Sequence, residues 1–140
     1  MRLQTNQISL LILMIAALSS YPLKAEQAQD FLSQFSAQAK TDTASFTGFD
    51  AGRGEQFFKA RHGGDWSCSS CHTDNPLMPG KHIVTEKEIQ PMAPAANAER
   101  FTSGAKVDKW FKRNCKDVLS RECTAQEKGD VLSYLLSLGH

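Results

Sequence analysis

The chain has 140 residues, of which 22% are charged, and its formal net charge at pH 7 is +1. This length fits one domain and leaves little room for a second. The near-neutral charge argues against nucleic acid as a partner, because phosphate binding needs a basic surface.

Residues 1–25 have the pattern of a secretory signal peptide. Arg2 supplies the positive start, and a mostly apolar run of eleven residues follows at 8–18. Eleven residues are too few to cross a bilayer, for which about 20 are needed. We therefore expect cleavage after Ala25, a periplasmic location and no stable membrane insertion afterwards; a retained membrane anchor is the alternative. The remaining domain, residues 26–140, has a formal charge of −1.

Two helices are predicted in the first half of this domain. Apolar residues recur at helical spacing between Glu26 and Lys40. A second helix is expected from Ala51 to about Arg61, with Asp50 as its N-cap. Gly52 and Gly54 each weaken that helix by about 1 kcal/mol relative to alanine. Their presence therefore indicates close packing against another helix.

The segment 73–100 holds four of the five prolines and shows no clear periodicity. It is predicted to be a long irregular loop, with a short helical turn near 86–89. Such a loop is unusual in an ordinary domain. Around a large apolar cofactor, however, it has a surface to pack on.

Two more helices are predicted in the last third of the chain. One is capped by Thr102 or Ser103, and the other begins with a capping box at Thr124–Glu127 and stops at Gly139. One side of the first carries Val107, Trp110, Phe111 and Asn114. No segment alternates convincingly with period two, so the predicted fold class is all-α, with helices packed around one cofactor.

The motif that carries chemistry is Cys68-Ser69-Ser70-Cys71-His72. It matches the C-x-x-C-H signature for attachment of a c-type haem. Two thiols three residues apart in a helical turn can reach the two vinyl groups of the porphyrin, and the adjacent His72 can ligate the iron. The spacing therefore predicts one covalent haem c, held by Cys68, Cys71 and His72.

Two other uses of the cysteines fit the sequence less well than haem attachment does. A thioredoxin-like dithiol needs a βαβ context, which the pattern does not predict. A zinc site formed by all four cysteines would have an unusual spacing between Cys115 and Cys123. With the first two cysteines on the haem, these last two are left to form a disulfide.

The sixth iron ligand decides the function, because a filled position in both oxidation states favours plain electron transfer. The candidate ligands are Met78, Met92, His62, His82, His140 and Asn114. Met92 has the better spacing of the two methionines, while His62 and His82 lie in polar segments that are typical of surface histidines. Asn114 lies on the predicted apolar side of its helix. Its alternative role is that of a helix C-terminal residue in the left-handed conformation.

The chain resembles the sphaeroides haem protein type of cytochrome c, which has a class I-like fold. The resemblance covers roughly residues 50–140 and rests on Lys109-Trp110-Phe111-Lys112-Arg113-Asn114-Cys115, Arg121-Glu122-Cys123-Thr124, Arg100-Phe101-Thr102, 85–89 and 91–94. It implies that Asn114 is the sixth ligand of ferric haem and leaves on reduction. It also implies a disulfide between Cys115 and Cys123. Met92 departs from the family pattern, which has leucine there, so Met92 ligation stays open.

The resemblance implies a cytochrome that accepts electrons and binds O2, NO or CO at ferrous haem, with reduction of the diatomic ligand as an enzymatic extension. It also implies a dihaem cytochrome c as redox partner and an association with a membrane cytochrome b. The alternative function is simple electron transfer, with His72 and Met92 as axial ligands.

Overall fold

The computed structural model describes residues 25–139, so most of the predicted signal peptide and His140 lie outside the described residues. Its elements are α1 (Ala28–Asp42), α2 (Ala51–Lys59), α3 (Ser69–His72), β1 (Gly80–Lys81), β2 (Glu88–Ile89), α4 (Gly104–Leu119) and α5 (Ala125–Ser137). No helix within residues 25–139 is long and apolar enough to cross a membrane. The predicted all-α class is confirmed.

Helix α5 lies at the centre because two of its sides are apolar. One side contributes to the Phe31 cluster, which consists of Phe31, Phe35, Val107 and Leu132. The other side contributes to the Phe58 cluster, which consists of Phe58, Val131, Tyr134 and Leu135. Phe101 packs against both clusters. Burial of these side chains on both sides of one helix therefore joins α1, α2, α4 and the loop before α4.

Helices α2 and α5 cross at a glycine. A Cβ atom at Gly54 would lie 1.9 Å from the backbone oxygen of Asp130, closer than real atoms approach. The prediction that this glycine allows close helix packing is confirmed. For Gly52 it is wrong, because that residue is exposed and a Cβ there would meet only the Asp50 carboxylate, at 3.3 Å.

A buried carboxylate fixes the same crossing. Asp130 is only 4% exposed, and it accepts hydrogen bonds from Arg53 Nε at 2.6 Å and Nη2 at 2.7 Å. The backbone N–H of Asp50 also donates to it, at 2.8 Å. These three donors compensate the buried carboxylate for its loss of water and tie α2 to α5.

The predicted helix ends are close to the observed ones. Helix α1 begins and ends two residues later than predicted, and α2 ends at Lys59 rather than Arg61. The Thr124 capping box is confirmed, since Thr124 Oγ1 accepts from Glu127 N at 3.1 Å. Ser103 is the N-cap of α4 but its side chain makes no capping bond. The first free N–H of α4 donates instead to the Glu26 carboxylate.

The long loop contains a small antiparallel hairpin, with Gly80 paired to Ile89 and Lys81 paired to Glu88. The predicted helical turn near 86–89 is therefore wrong. Glu86 has a φ of 57°, in the left-handed region that interrupts a helix. The hairpin brings β1 back to the segment that holds the two predicted haem cysteines.

Candidate haem-binding site

Cys68 and Cys71 lie one turn apart, Cys68 as the N-cap of the short helix α3 and Cys71 within it. The N–H of Cys71 donates to the Cys68 carbonyl at 3.3 Å, and the N–H of His72 donates to it at 3.1 Å. Both cysteines are free and half-buried. Because residues three apart in a helical turn share one side, the two thiols face the same region, as two thioether bonds to one porphyrin require.

A group of serines holds this turn in place. Ser67 is buried, and its N–H donates to Ser70 Oγ at 2.9 Å. In return, the N–H of Ser70 donates to Ser67 Oγ at 3.2 Å. This reciprocal pair acts as an N-terminal cap for a four-residue helix that propensity alone would not stabilise. Sequence reasoning missed Ser67, although a serine just before C-x-x-C is a recognisable capping signal.

Cys68 packs against the Phe58 cluster. Burial raises the pKa of its thiol to about 11, because the thiolate loses hydration there. The free thiol is therefore protonated at neutral pH in this environment. An apolar wall beside this cysteine suits the hydrocarbon edge of a porphyrin.

The imidazole of His72 lies beside the same wall, 6.3 Å from the Phe58 ring between centroids. Burial, together with the positive charge of Arg100, lowers the pKa of His72 to about 4. The ring is therefore neutral at physiological pH, which is the form that ligates a metal. Within residues 25–139, no hydrogen bond engages either of its ring nitrogens.

The floor of the site is made by the loop after α3. A Cβ at Gly80 would lie 2.0 Å from the Cys71 carbonyl oxygen, so β1 packs directly on the attachment turn. Pro76 is fully buried, and its carbonyl accepts from the N–H groups of Met92 and Ala93, each at 3.0 Å. The Met92 side chain packs on the Phe58 cluster, as does Cys68.

Asn114 lies inside α4, which continues to Leu119 and ends at Ser120 with a φ of 58°. The alternative that Asn114 is a left-handed helix terminus is therefore wrong. Its side chain is half-buried, it belongs to neither core cluster, and no described residue hydrogen-bonds to its amide. The expected position of Trp110 on the apolar side is also wrong, because this ring is 45% exposed.

The cysteine next to Asn114 is buried and close to its predicted partner. The Sγ atoms of Cys115 and Cys123 are 1.97 Å apart, and their Cα atoms are 5.6 Å apart, within the usual span for a disulfide. No group of three or more His, Cys, Asp or Glu side chains among residues 25–139 is arranged to hold a metal ion, so the four-cysteine zinc alternative is wrong.

The other candidate ligands have local roles or lie elsewhere. His62 Nε2 is 2.8 Å from the Phe57 carbonyl oxygen, and His82 Nδ1 accepts from two backbone N–H groups at 3.2 Å. Met78 is 55% exposed. His140 lies outside the described residues. The donor set that fits a covalent haem is thus two free thiols on one turn, a neutral imidazole and an apolar wall.

This helical fold, with its Cys-x-x-Cys-His turn, defines a monohaem c-type cytochrome. Residues 44–135 match the model of a family described as a domain of unknown function, DUF1924. The chain belongs to this family and is an SHP-type cytochrome c.

Two curated relatives are also c-type cytochromes. Cytochrome c'' of Methylophilus methylotrophus is 46% identical over 80 residues, which are 57% of this chain and 56% of that protein. Cytochrome c-type protein SHP of Cereibacter sphaeroides is 42% identical over 90 residues, which are 61% of this chain and 69% of that protein. The sequence match thus spans little more than half the length of cytochrome c''.

A solved structure supports the same fold. The oxidised form of SHP, described as an oxygen-binding cytochrome c, superposes with a TM-score of 0.72 at 34% identity. The superposition covers 81% of this chain and 98% of the SHP chain. Like these relatives, the protein carries covalently bound haem c, so the predicted cofactor is confirmed.

Proposed function

We propose that the protein is a periplasmic cytochrome that accepts electrons and binds a small diatomic ligand, O2 or NO, at its reduced haem. Reduction of that ligand would make it an enzyme. The observation that carries this proposal is the side-chain amide of Asn114. It is half-buried within α4 and has no hydrogen-bond partner among residues 25–139, so its oxygen can ligate a haem iron.

In this proposal, the thiols of Cys68 and Cys71 would attach the haem, and His72 and the amide oxygen of Asn114 would ligate its iron in the ferric protein. The haem would supply an iron that changes oxidation state. A neutral oxygen ligand is hard and weak, so it favours ferric over ferrous iron. We therefore expect Asn114 to leave on reduction.

The Asn114 amide has a second role after it leaves the iron. Its N–H₂ group is a donor, and a hydrogen-bond donor near the vacant position tunes the binding of a diatomic ligand. Because Asn114 is within a helix and next to Cys115, its backbone stays in place while its side chain turns. The description of SHP as an oxygen-binding cytochrome c is consistent with this role.

A second candidate function, simple electron transfer, has one observation in its favour. The side chain of Met92 packs on the Phe58 cluster together with Cys68, so a thioether lies in the region of the site. Against it, the backbone of Met92 is bonded to Pro76, four residues after His72. A thioether held beside the loop that directly follows His72 would have to reach around the haem to ligate the iron opposite that histidine.

Location and partners follow from the same proposal. The pattern of residues 1–25 is that of a signal peptide, cut after Ala25, which would deliver the protein to the periplasm. A dihaem cytochrome c is the proposed electron donor, and an association with a membrane cytochrome b is proposed with it. No nucleic acid is involved.

Absorption spectra of the purified protein test the proposal. The ferric form is expected to lack the red charge-transfer band of methionine ligation. The ferrous form is expected to be high-spin and to bind carbon monoxide readily, since its sixth position is vacant. A low-spin ferrous spectrum that resists carbon monoxide would instead support electron transfer with Met92 ligation.

We also propose that Cys115 and Cys123 are linked in the mature protein. Replacing both with serine is expected to lower the free energy of unfolding by about 2.5 kcal/mol, the loop-entropy value for so short a loop. Denaturant unfolding of the holoprotein measures this change. Peptide mapping without reduction should find the two cysteines joined, and two thiols that alkylate readily in the native protein would refute the link.

A further inference from the structure

Arg100 is a half-buried cation for which the described residues supply no carboxylate. Its Nε donates to the Pro91 carbonyl at 2.9 Å, and its Nη2 donates to the Gln90 carbonyl at 2.6 Å. No acidic side chain within residues 25–139 forms an ion pair with it. Of the other arginines in this range, Arg53 and Arg121 each bind a carboxylate, whereas Arg61 and Arg113 are exposed to solvent.

The position of Arg100 is fixed by strong local constraints. The next residue, Phe101, has a φ of 56°, in the left-handed region that an aromatic residue rarely adopts. This conformation costs energy and persists where packing compensates for it. Here the Phe101 ring packs against both core clusters. The packing of Phe101 therefore fixes the backbone from which the half-buried Arg100 side chain extends.

One further observation places this guanidinium beside the haem region. The carbonyls that it binds belong to residues 90 and 91, directly before Met92, whose side chain packs on the Phe58 cluster with Cys68. Burial lowers the pKa of Arg100, since the cation loses hydration and no carboxylate among residues 25–139 pairs with it.

We propose that Arg100 binds a propionate carboxylate of the haem. Among residues 25–139, nothing hydrogen-bonds to Nη1 or to the remaining N–H of Nη2. Together these groups form the end of the guanidinium that can bind a carboxylate with two parallel hydrogen bonds. The hydrogen bonds to the Pro91 and Gln90 carbonyls hold the guanidinium in one orientation. The inference rests on haem attachment at Cys68 and Cys71, but it does not depend on the identity of the sixth ligand.

The contact has a measurable effect on the propionate. A cation within hydrogen-bond distance stabilises the ionised carboxylate and holds its pKa low. We expect the R100Q holoprotein to show a rise of at least about one pH unit in the pKa of one propionate, a tenfold change in its acid dissociation constant. R100K, which keeps the charge but cannot donate two parallel hydrogen bonds, should raise the propionate pKa by less.

Carbon-13 NMR of ferric holoprotein with labelled propionate carboxyls, followed through a pH titration, measures these values. R61Q is the matched control, because it removes the same charge from an exposed position and should change the constant by less than about threefold. Equal propionate pKa values in wild type, R100Q and R61Q would overturn the inference. If R100Q yields no holoprotein, two propionates that both titrate as ordinary carboxylic acids in wild type would overturn it as well.

The result is separable from the proposed function. Acidified organic solvent should leave the labelled haem on the denatured chain, which verifies covalent attachment before the titration is interpreted. An N114A holoprotein should keep the low propionate pKa, since Asn114 lies on a different element. A propionate pKa that changes in N114A as much as in R100Q would contradict a direct contact with Arg100.

Discussion

Replacement of Asn114 with alanine is expected to leave the ferric iron five-coordinate or water-ligated. The ferric spectrum should change to high-spin, while the ferrous spectrum should stay close to wild type because the amide has already left. If the amide occupies the iron in about 90% of ferric molecules or more, its removal lowers the apparent Kd of an added ligand such as imidazole by about tenfold or more. Spectral titration of the ferric protein measures this change.

The matched variant for this experiment is Met92→Leu, which removes the thioether and keeps an apolar side chain of similar size. It should change neither the ferric spectrum nor the imidazole affinity appreciably. The electron-carrier function would be favoured by the opposite pair of results, namely loss of a low-spin ferrous spectrum in M92L and no effect in N114A. A filled sixth position in ferrous protein leaves no vacancy for O2 or NO.

Replacement of both Cys68 and Cys71 with alanine is expected to abolish stable holoprotein. The site then keeps only the His72 ligand and apolar contacts, and folding that depends on a bound group is lost with it. Holoprotein yield should fall by about tenfold or more, as measured by haem absorbance per chain after purification. Each single alanine variant keeps one thioether and should give an intermediate yield.

The control for the attachment experiment is the variant in which Cys115 and Cys123 are both serine. It also loses two thiols, but its haem should remain on the denatured chain after extraction with acidified organic solvent. Haem that stays with the denatured Cys68→Ala, Cys71→Ala chain would contradict attachment at these residues. Haem that leaves the wild-type chain would contradict it equally.

Sequence patterns predicted the local parts of this structure well. The helices were found from apolar spacing, and the caps at Asp50 and Thr124 were found because each acts within its own first turn. The hairpin was missed because its strands have two residues each, too few to show alternation. Two-residue strands are specified by the pairing of distant backbone groups, which a one-dimensional pattern does not contain.

The residues of the candidate site also differ in how well the sequence predicts them. Cys68, Cys71 and His72 are recognisable because the attachment chemistry requires adjacent positions in the chain. Asn114 was singled out by its place on a helix and by resemblance, and its role remains a prediction. Arg100 was not identified as a site residue, because nothing in its neighbourhood reveals that its charge lacks a partner. That fact emerges only after the acidic side chains of the described residues have been placed.

The crossing of α2 and α5 has a consequence for the order of events during biogenesis. Arg53 and Asp130 are 77 positions apart, so the crossing cannot form until nearly the whole chain is available to fold. The attachment turn at 68–72 is synthesised well before α5. Until α5 arrives, the Phe58 cluster is incomplete and cannot enclose Cys68. The two thiols are therefore accessible to a haem-attaching enzyme until α5 packs against the rest of the fold.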